Sequence, residues 1–453
     1  MSSGGRRRWA YDRRAFVPRR VIRAAQAFVQ LEASSGIALL AAAMVALVWA
    51  NLDGSYSEFW HRAISLDTSA FRLDLDLRHA VNDGLMTLFF FLMGLEIKRE
   101  LVHGELSEPR RALLPAAAAL GGMLVPAAIY TALNWGGEGA DGWGIPMATD
   151  IAFALGVLSL LGRRIPFSVK VFLLALAIAD DIGAILVIAL FYTSSLDLEA
   201  LGLAFLIMTG IVAMNRGGVR SIDVYVVVGM ALWLAVFESG VHATLTGVAL
   251  GLMTPAAAYY PAQGFSDTAE ELARRFREAT LSGSEDERQS LLAQVEDLSQ
   301  GTEAPLDRLE RALHPWVSFG VVPLFALANA GVLISADVAQ SAASSPVSQG
   351  VALGLVLGKP AGICLLTLLA VRLRLCTLPT GANLHHVVGV GLLGGIGFTV
   401  SLLVTDLAFQ DGGQVDEAKL GVLCASAIAG VLGLAYLWLA GSTPGAAGPG
   451  RDA

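Results

Sequence analysis

Apolar residues in this chain come in runs of roughly 17 to 25, parted by short polar breaks, and each run can cross about 30 Å of hydrocarbon as a helix. Twelve runs are read, near 35–52, 78–97, 112–134, 144–162, 168–193, 199–215, 222–238, 240–257, 315–334, 347–371, 386–409 and 418–440. The pattern predicts an all-α integral membrane protein with about twelve transmembrane helices. A β-barrel would alternate with period two. The chain then divides into a basic arm at 1–30, spans 1–8 at 31–257, an acidic loop at 258–314, spans 9–12 at 315–440 and a tail at 441–453. Composition agrees: 55% of the 453 residues are hydrophobic, 15% are charged and mean hydropathy is +0.61, whereas a soluble domain is about a quarter charged.

Charge orients the runs. Alternate loops carry Lys98, Arg99, Arg110 and Arg111, then Arg163, Arg164 and Lys170, then Arg216 and Arg220, then Arg372 and Arg374. The opposite loops, "NWGGEGADGW", "TSSLDLEA" and "ISADVAQSAASSPVSQ", hold no Lys or Arg. By the positive-inside rule the first set is cytoplasmic, together with both termini. Arg62, Arg72 and Arg78 near the first outer loop and Lys419 near the last are exceptions. The start, "MSSGGRRRWAYDRRAFVPRR", lacks a short apolar core with a cleavage site and reads as a retained arm. The net charge of −8 points to no nucleic-acid partner, because the arginines sit in loops rather than on one soluble face. Cys364, Cys376 and Cys424 show no metal-ligand spacing and are expected as buried free thiols.

The loop at 258–314 carries twelve acidic residues and six arginines, and "DTAEELARRFREATL" and "EDERQSLLAQVEDL" have helical spacing. It is expected to be a cytoplasmic helical loop, either a solvated connector or a regulatory or partner-binding element.

An ionised side chain at the bilayer centre costs at least about 2.5 to 3.5 kcal/mol, so each one kept there is a functional candidate. The mid-span set is Asp150, the adjacent Asp180 and Asp181 in "LAIADDIGAI", and Lys359 in "LGLVLGKPAGICLL". Neighbours on a helix point about 100° apart, which predicts separate tasks for the two aspartates. At about 6 Å and an effective dielectric near 20 their repulsion is about 3 kcal/mol, so without a nearby cation the pair holds a proton. Lys359 could neutralise one member and leave the other for a transported ion. Protons and a metal cation would then compete at one site.

Two stretches interrupt their spans. In "GIPMATD", Gly144, Pro146 and Thr149 disfavour a continuous helix, and breaks at membrane depth are tolerated where freed backbone groups line a cavity or bind an ion. "GVGLLGGIGFTVS" has five glycines from Gly389 to Gly397, consistent with a break or with close helix packing. One interrupted span in each half points to inverted repeats with a site near the midplane. Glu96 is a functional candidate among the charged residues of "GLEIKREL", the rest of which suit a cytoplasmic helix end. His242 reads as a packing histidine or a pH sensor, and Asp83 as a helix cap.

The motifs "ATDIAFALGVLSLLG", "LAIADDIGAILVIALFYT", "SGVHATLTGV", "LHPWVSFGVVPLFALANAGV", "LGKPAGI" and "GGIGFTVSLL" together closely resemble the NhaA-type sodium/proton antiporters of bacteria. That family is itself a known case of inverted repeats, so the repeat reading is not independent of it. The resemblance covers about residues 30 to 440. It implies two broken helices crossing near the bilayer midplane, a multi-pass protein of the bacterial inner membrane, and export of Na+ or Li+ against two protons per cation. It implies no cofactor beyond the transported ions, and it allows a homodimer. By resemblance Asp181 is the principal cation ligand and proton carrier, with Asp180 beside it in the metal site and paired to Lys359. Thr149 and Asp150 are the broken-helix residues, Asp150 compensating half-helix dipoles. Glu96, Arg99, His242 and Glu310 fall where the family tunes its response to pH. The arginine-rich arm and the acidic loop beside Glu310 depart from the family pattern.

Three rivals are weighed: a sodium-coupled organic-solute symporter of related fold, an intramembrane aspartyl protease and a channel. The protease needs two facing carboxylates, but these aspartates are adjacent and no "GxGD" is present. A channel fits poorly with a buried, titratable Asp/Lys set.

Overall fold

Long apolar runs make helices wherever nothing breaks them, and the computed structural model of the chain describes residues 16–67, 72–193, 196–217, 219, 222–258 and 262–440. The expected basic arm lies outside these residues up to position 15, and the tail at 441–453 lies wholly outside them. Among the described residues nine helices are long and apolar enough to span a membrane, and the bent pair Leu384–Gly394 with Phe398–Ala408 makes a tenth. The runs read at 222–238 and 240–257 fold as shorter helices, Ile222–Glu238 of 17 residues and Leu245–Met253 of nine. Gly240, with φ +79°, stops the first, and helix does not resume until Leu245. The architecture is that of a multi-pass, nearly all-helical membrane protein.

One departure from all-α lies between the first two spans. Strands Ala63–Asp67 and Arg72–Asp76 pair antiparallel, with Ala63 opposite Asp76. The cue is there in "ISLD" and "RLDLD", which alternate apolar and polar with period two. Asp76 then caps the next helix by accepting the N–H of His79 at 2.7 Å. Burial pushes its carboxyl up, but the hydrogen bonds from the His79 backbone and ring outweigh this and hold it below the usual range. The expected cap, Asp83, lies instead inside a π-helical turn over Ala80–Leu85.

Side-chain spacing decides what each helix buries. In the first span Leu39, Ala43, Ala46 and Ala50 form a stripe at steps of three and four and are buried, while Ile37, Leu40, Met44, Val45 and Val48 lie on the exposed surface. Small residues set the closest crossings. Gly121 of Pro109–Leu133 faces Gly362 of Pro346–Arg372, and a Cβ on either would overlap the other's carbonyl. That approach packs the Pro346–Arg372 helix, which carries Lys359, tightly against its neighbour.

The acidic loop is helical, as its spacing predicts: Ala262–Ser282 and Glu285–Thr302 pack on a small core of Leu272, Ala279, Leu291 and Leu298, apart from the main core. The next helix starts at Pro305, ten residues before the predicted span, and runs into Pro305–Asn329. The cysteines are free but none is buried: Cys364 and Cys376 are half-buried and Cys424 is exposed, because apolar runs in a membrane protein face outward as readily as inward.

Candidate functional site

Two helix breaks meet at the centre of the structure. In the first, a 3-10 segment Ala140–Met147 gives way to extended backbone at Ala148 and Asp150 before helix Ile151–Leu160. In the second, helix Leu384–Gly394 and helix Phe398–Ala408 meet at a 44° bend. A Cβ at Gly395 would overlap the Leu355 carbonyl, so only glycine lets this bend sit there. Each break frees backbone groups, and three contacts take some of them up. The Asp150 N–H donates to the Ile396 carbonyl at 2.7 Å, and the Ser401 hydroxyl to the Ile145 carbonyl at 2.7 Å. The Met147 carbonyl accepts from the Lys359 ammonium. The glycine run is therefore a true break, and the two interrupted spans satisfy each other.

Asp150 joins them. One of its carboxylate oxygens accepts the Phe153 N–H at 3.0 Å, capping its own helix. The other accepts the Thr399 N–H at 3.2 Å and the Thr399 hydroxyl at 2.7 Å, at the start of the second half-helix. One buried negative charge thus sits at two positive helix ends.

The adjacent aspartates of Phe167–Phe191 diverge, as their 100° offset requires. Asp180, fully buried, takes the Lys359 ammonium on Oδ2 at 2.6 Å, and Lys359 is equally inaccessible. The Thr149 hydroxyl lies 2.8 Å from that same oxygen and 3.0 Å from the Gly394 carbonyl. Lys359 directly follows a π-helical turn at Gly354–Gly358, a local widening common at functional sites. Asp181 has no such partner. Its Oδ1 is buried and makes no hydrogen bond among the described residues.

Asp181 lines a cavity of about 60 Å³ together with Thr149, Asp150, Thr399, Glu96 and His314, whereas Asp180 does not. The volume holds a few water molecules. Among the described residues no three His, Cys, Asp or Glu side chains converge as a multidentate metal cluster. What the cavity offers is the carboxylates of Asp181, Asp150 and Glu96 with the hydroxyls of Thr149 and Thr399, an oxygen set suited to a hard cation.

The four residues grouped by resemblance with pH response are not brought together. Arg99 pairs with buried Glu310, and Glu96 lies in the Asp181 cavity. His242 instead contacts the Tyr192 carbonyl at 2.8 Å, just past the C-terminal end of Phe167–Phe191. The Tyr192 hydroxyl accepts the Gly144 N–H and donates to the Asp141 carbonyl.

Sequence reasoning passed over Thr399, His314 and Asp406. Thr399 follows the glycine run, where a new helix N-terminus calls for a polar residue. Asp406 stands only three residues from the end of its predicted run and was not counted as mid-span. It is nonetheless contacted by Arg78 at 2.9 Å and by Lys419 at 2.9 Å, two of the cations that broke the positive-inside pattern.

The family model described as "Na+/H+ antiporter 1" matches residues 26–437. The chain is 47% identical to Na(+)/H(+) antiporter NhaA of Oleidesulfovibrio alaskensis, over 89% of this chain and 91% of the relative. It is 47% identical to Na(+)/H(+) antiporter NhaA 2 of Sorangium cellulosum, over 90% and 88%. It is 46% identical to Na(+)/H(+) antiporter NhaA of Rhodopirellula baltica, over 90% and 92%.

Proposed function

The chain belongs to the Na+/H+ antiporter 1 family, and from that premise we propose that it exports cytoplasmic Na+ or Li+ in electrogenic, pH-regulated exchange for external protons, two per cation, across a bacterial inner membrane. The observation that carries the reading is Asp181: a buried carboxylate that lines a small cavity and has no salt-bridge partner among the described residues, whereas Asp180, whose Oδ1 likewise makes no hydrogen bond, is paired to Lys359 and lines no part of the cavity. A charge in that position must be neutralised. A proton or a monovalent cation can do so, and each excludes the other. Asp180 already has its ammonium, so it balances Lys359 while Asp181 exchanges cargo.

Thr149, Thr399 and Asp150 add oxygen near the cation, and Asp150 keeps the two half-helix ends together as the load changes. The cavity favours this reading over a symporter, because about 60 Å³ is far below the few hundred Å³ that organic ligands occupy. The ions are cargo, and no resident cofactor takes part. The Arg99 end of the helices faces the cytoplasm, where Glu96, Arg99 and Glu310 stand at the approach to Asp181 and tune loading with pH. Two protons in for one cation out move one net charge, worth about 2.3 kcal/mol per 100 mV.

Asp181→Asn in inside-out vesicles tests the reading. Sodium-dependent proton release should fall to background from neutral to alkaline pH. Release that persists at alkaline pH removes Asp181 as the carrier.

A further inference from the structure

The Asp181 cavity lies between two walls. One is formed by Leu77–His103 and Pro305–Asn329, which supply Phe89, Met93, Glu96, Val317 and Ser318; the other by the broken helices and Phe167–Phe191. The cavity lining reaches Ser35, Glu96 and His314, toward the Arg99 end, where the Arg99–Glu310 pair joins two helices of the same wall.

At the opposite end the charges cross from wall to wall. Arg78 and Asn329 stand 18 and 19 residues from Glu96 and Glu310, about 27 Å along each helix. Arg78 donates to Asp406 Oδ1 at 2.9 Å and to Asn329 at 3.0 Å, and Asn82 donates to Asp406 Oδ2 at 3.2 Å. Lys419, buried at the start of Gly412–Ala440, reaches Asp406 at 2.9 Å, with Asp416 near enough to feel both cations. Asp406 ends the same half-helix whose first turn is held to Asp150 through Thr399. No residue of this cluster lines the cavity.

We propose that Arg78, Asn82, Asp406 and Lys419 form an outer latch, closing the path on the side away from Arg99 and releasing when the Asp181 site turns outward. Asp406 is a positioning residue that never touches the cargo. The latch rests on the antiporter reading, which supplies the two-sided cycle. A latch present in one orientation favours that orientation, so weakening it moves population toward the outward-open state and splits the apparent affinities of the two faces.

The test measures half-saturating Na+ for exchange in inside-out and right-side-out vesicles, for wild type, Asp406→Asn, Lys419→Gln and Asp406→Glu, together with thermal unfolding of each purified protein. Asp406→Asn and Lys419→Gln should weaken apparent affinity at the cytoplasmic face by about fivefold or more and tighten it at the outer face. Asp406→Glu should return both toward wild type. Equal changes at the two faces, or unchanged affinities in stably folded variants, overturn the latch. If Asp406→Asn does not fold, Lys419→Gln, which keeps the Arg78 contact, decides the matter alone. Wild-type vesicles without exchange in either orientation would sink the antiporter reading instead, which separates the two failures.

Discussion

Asp180 and Asp181 have one ammonium contact between them, from Lys359, whereas Asp406 alone is contacted by both a guanidinium and an ammonium. The first centre is fully buried and the second part-buried around a buried Lys419, and in both an uncompensated charge is costly. Their different balance suits them to different work. A centre short of cations can take one from solution, and a centre with more than one resident cation is already satisfied. The proposed cargo site, with two aspartates to one cation, and the proposed latch, with Asp406 and Asp416 to Arg78 and Lys419, therefore follow one electrostatic rule with different stoichiometry.

The sharpest way to break this comparison is to remove one cation from each centre. Lys359→Ala leaves Asp180 buried with no counter-charge and should destabilise the protein by about 3–5 kcal/mol, with a shift in apparent Na+ affinity or in the pH dependence of exchange. Lys419→Gln leaves Arg78 on Asp406 and should lower the unfolding temperature by clearly less. Equal losses would mean that the centres do not differ in how they are balanced.

A smaller effect is expected where a carboxylate is held by helix ends rather than by a cation. Asp150→Ala removes the acceptor for Phe153 and Thr399 and should cost about 1–2 kcal/mol, with exchange lost more than stability because both half-helices are released. Transport that falls only in step with protein yield would argue that Asp150 is structural alone. Smallest is Thr399→Val, which deletes one hydroxyl contact while the backbone N–H still reaches Asp150; unfolding should move by about 0.5–1.5 kcal/mol. No change at all would show that the hydroxyl contact is redundant.

The midplane elements were legible because their signals are local. The divergence of Asp180 and Asp181 follows from 3.6 residues per turn, and the break in "GIPMATD" follows from its proline, glycine and β-branched residue. The second break was ambiguous, since glycine serves close packing and bends alike, and only the carbonyl of Leu355 against Gly395 decides which. The hairpin in the first outer loop went unread because a few alternating residues are a faint signal beside runs of twenty. His242, grouped by resemblance with Glu310, lies beyond the other end of Phe167–Phe191, where its place at the start of the eighth predicted span already put it.

The amino-acid sequence by itself determined that this chain is a helical membrane protein, where its first break falls and which mid-span charges demand an explanation. Those properties arise from hydropathy and backbone chemistry within a turn or two. The tertiary structure alone decided that Lys359 belongs to Asp180, that Asp181 faces the cavity, and that Arg78 and Lys419 converge on Asp406 from 328 and 13 residues away. A charge in a low-dielectric interior is settled by whatever helix packs against it, and that neighbour is set by the fold rather than by the residues beside it in the chain.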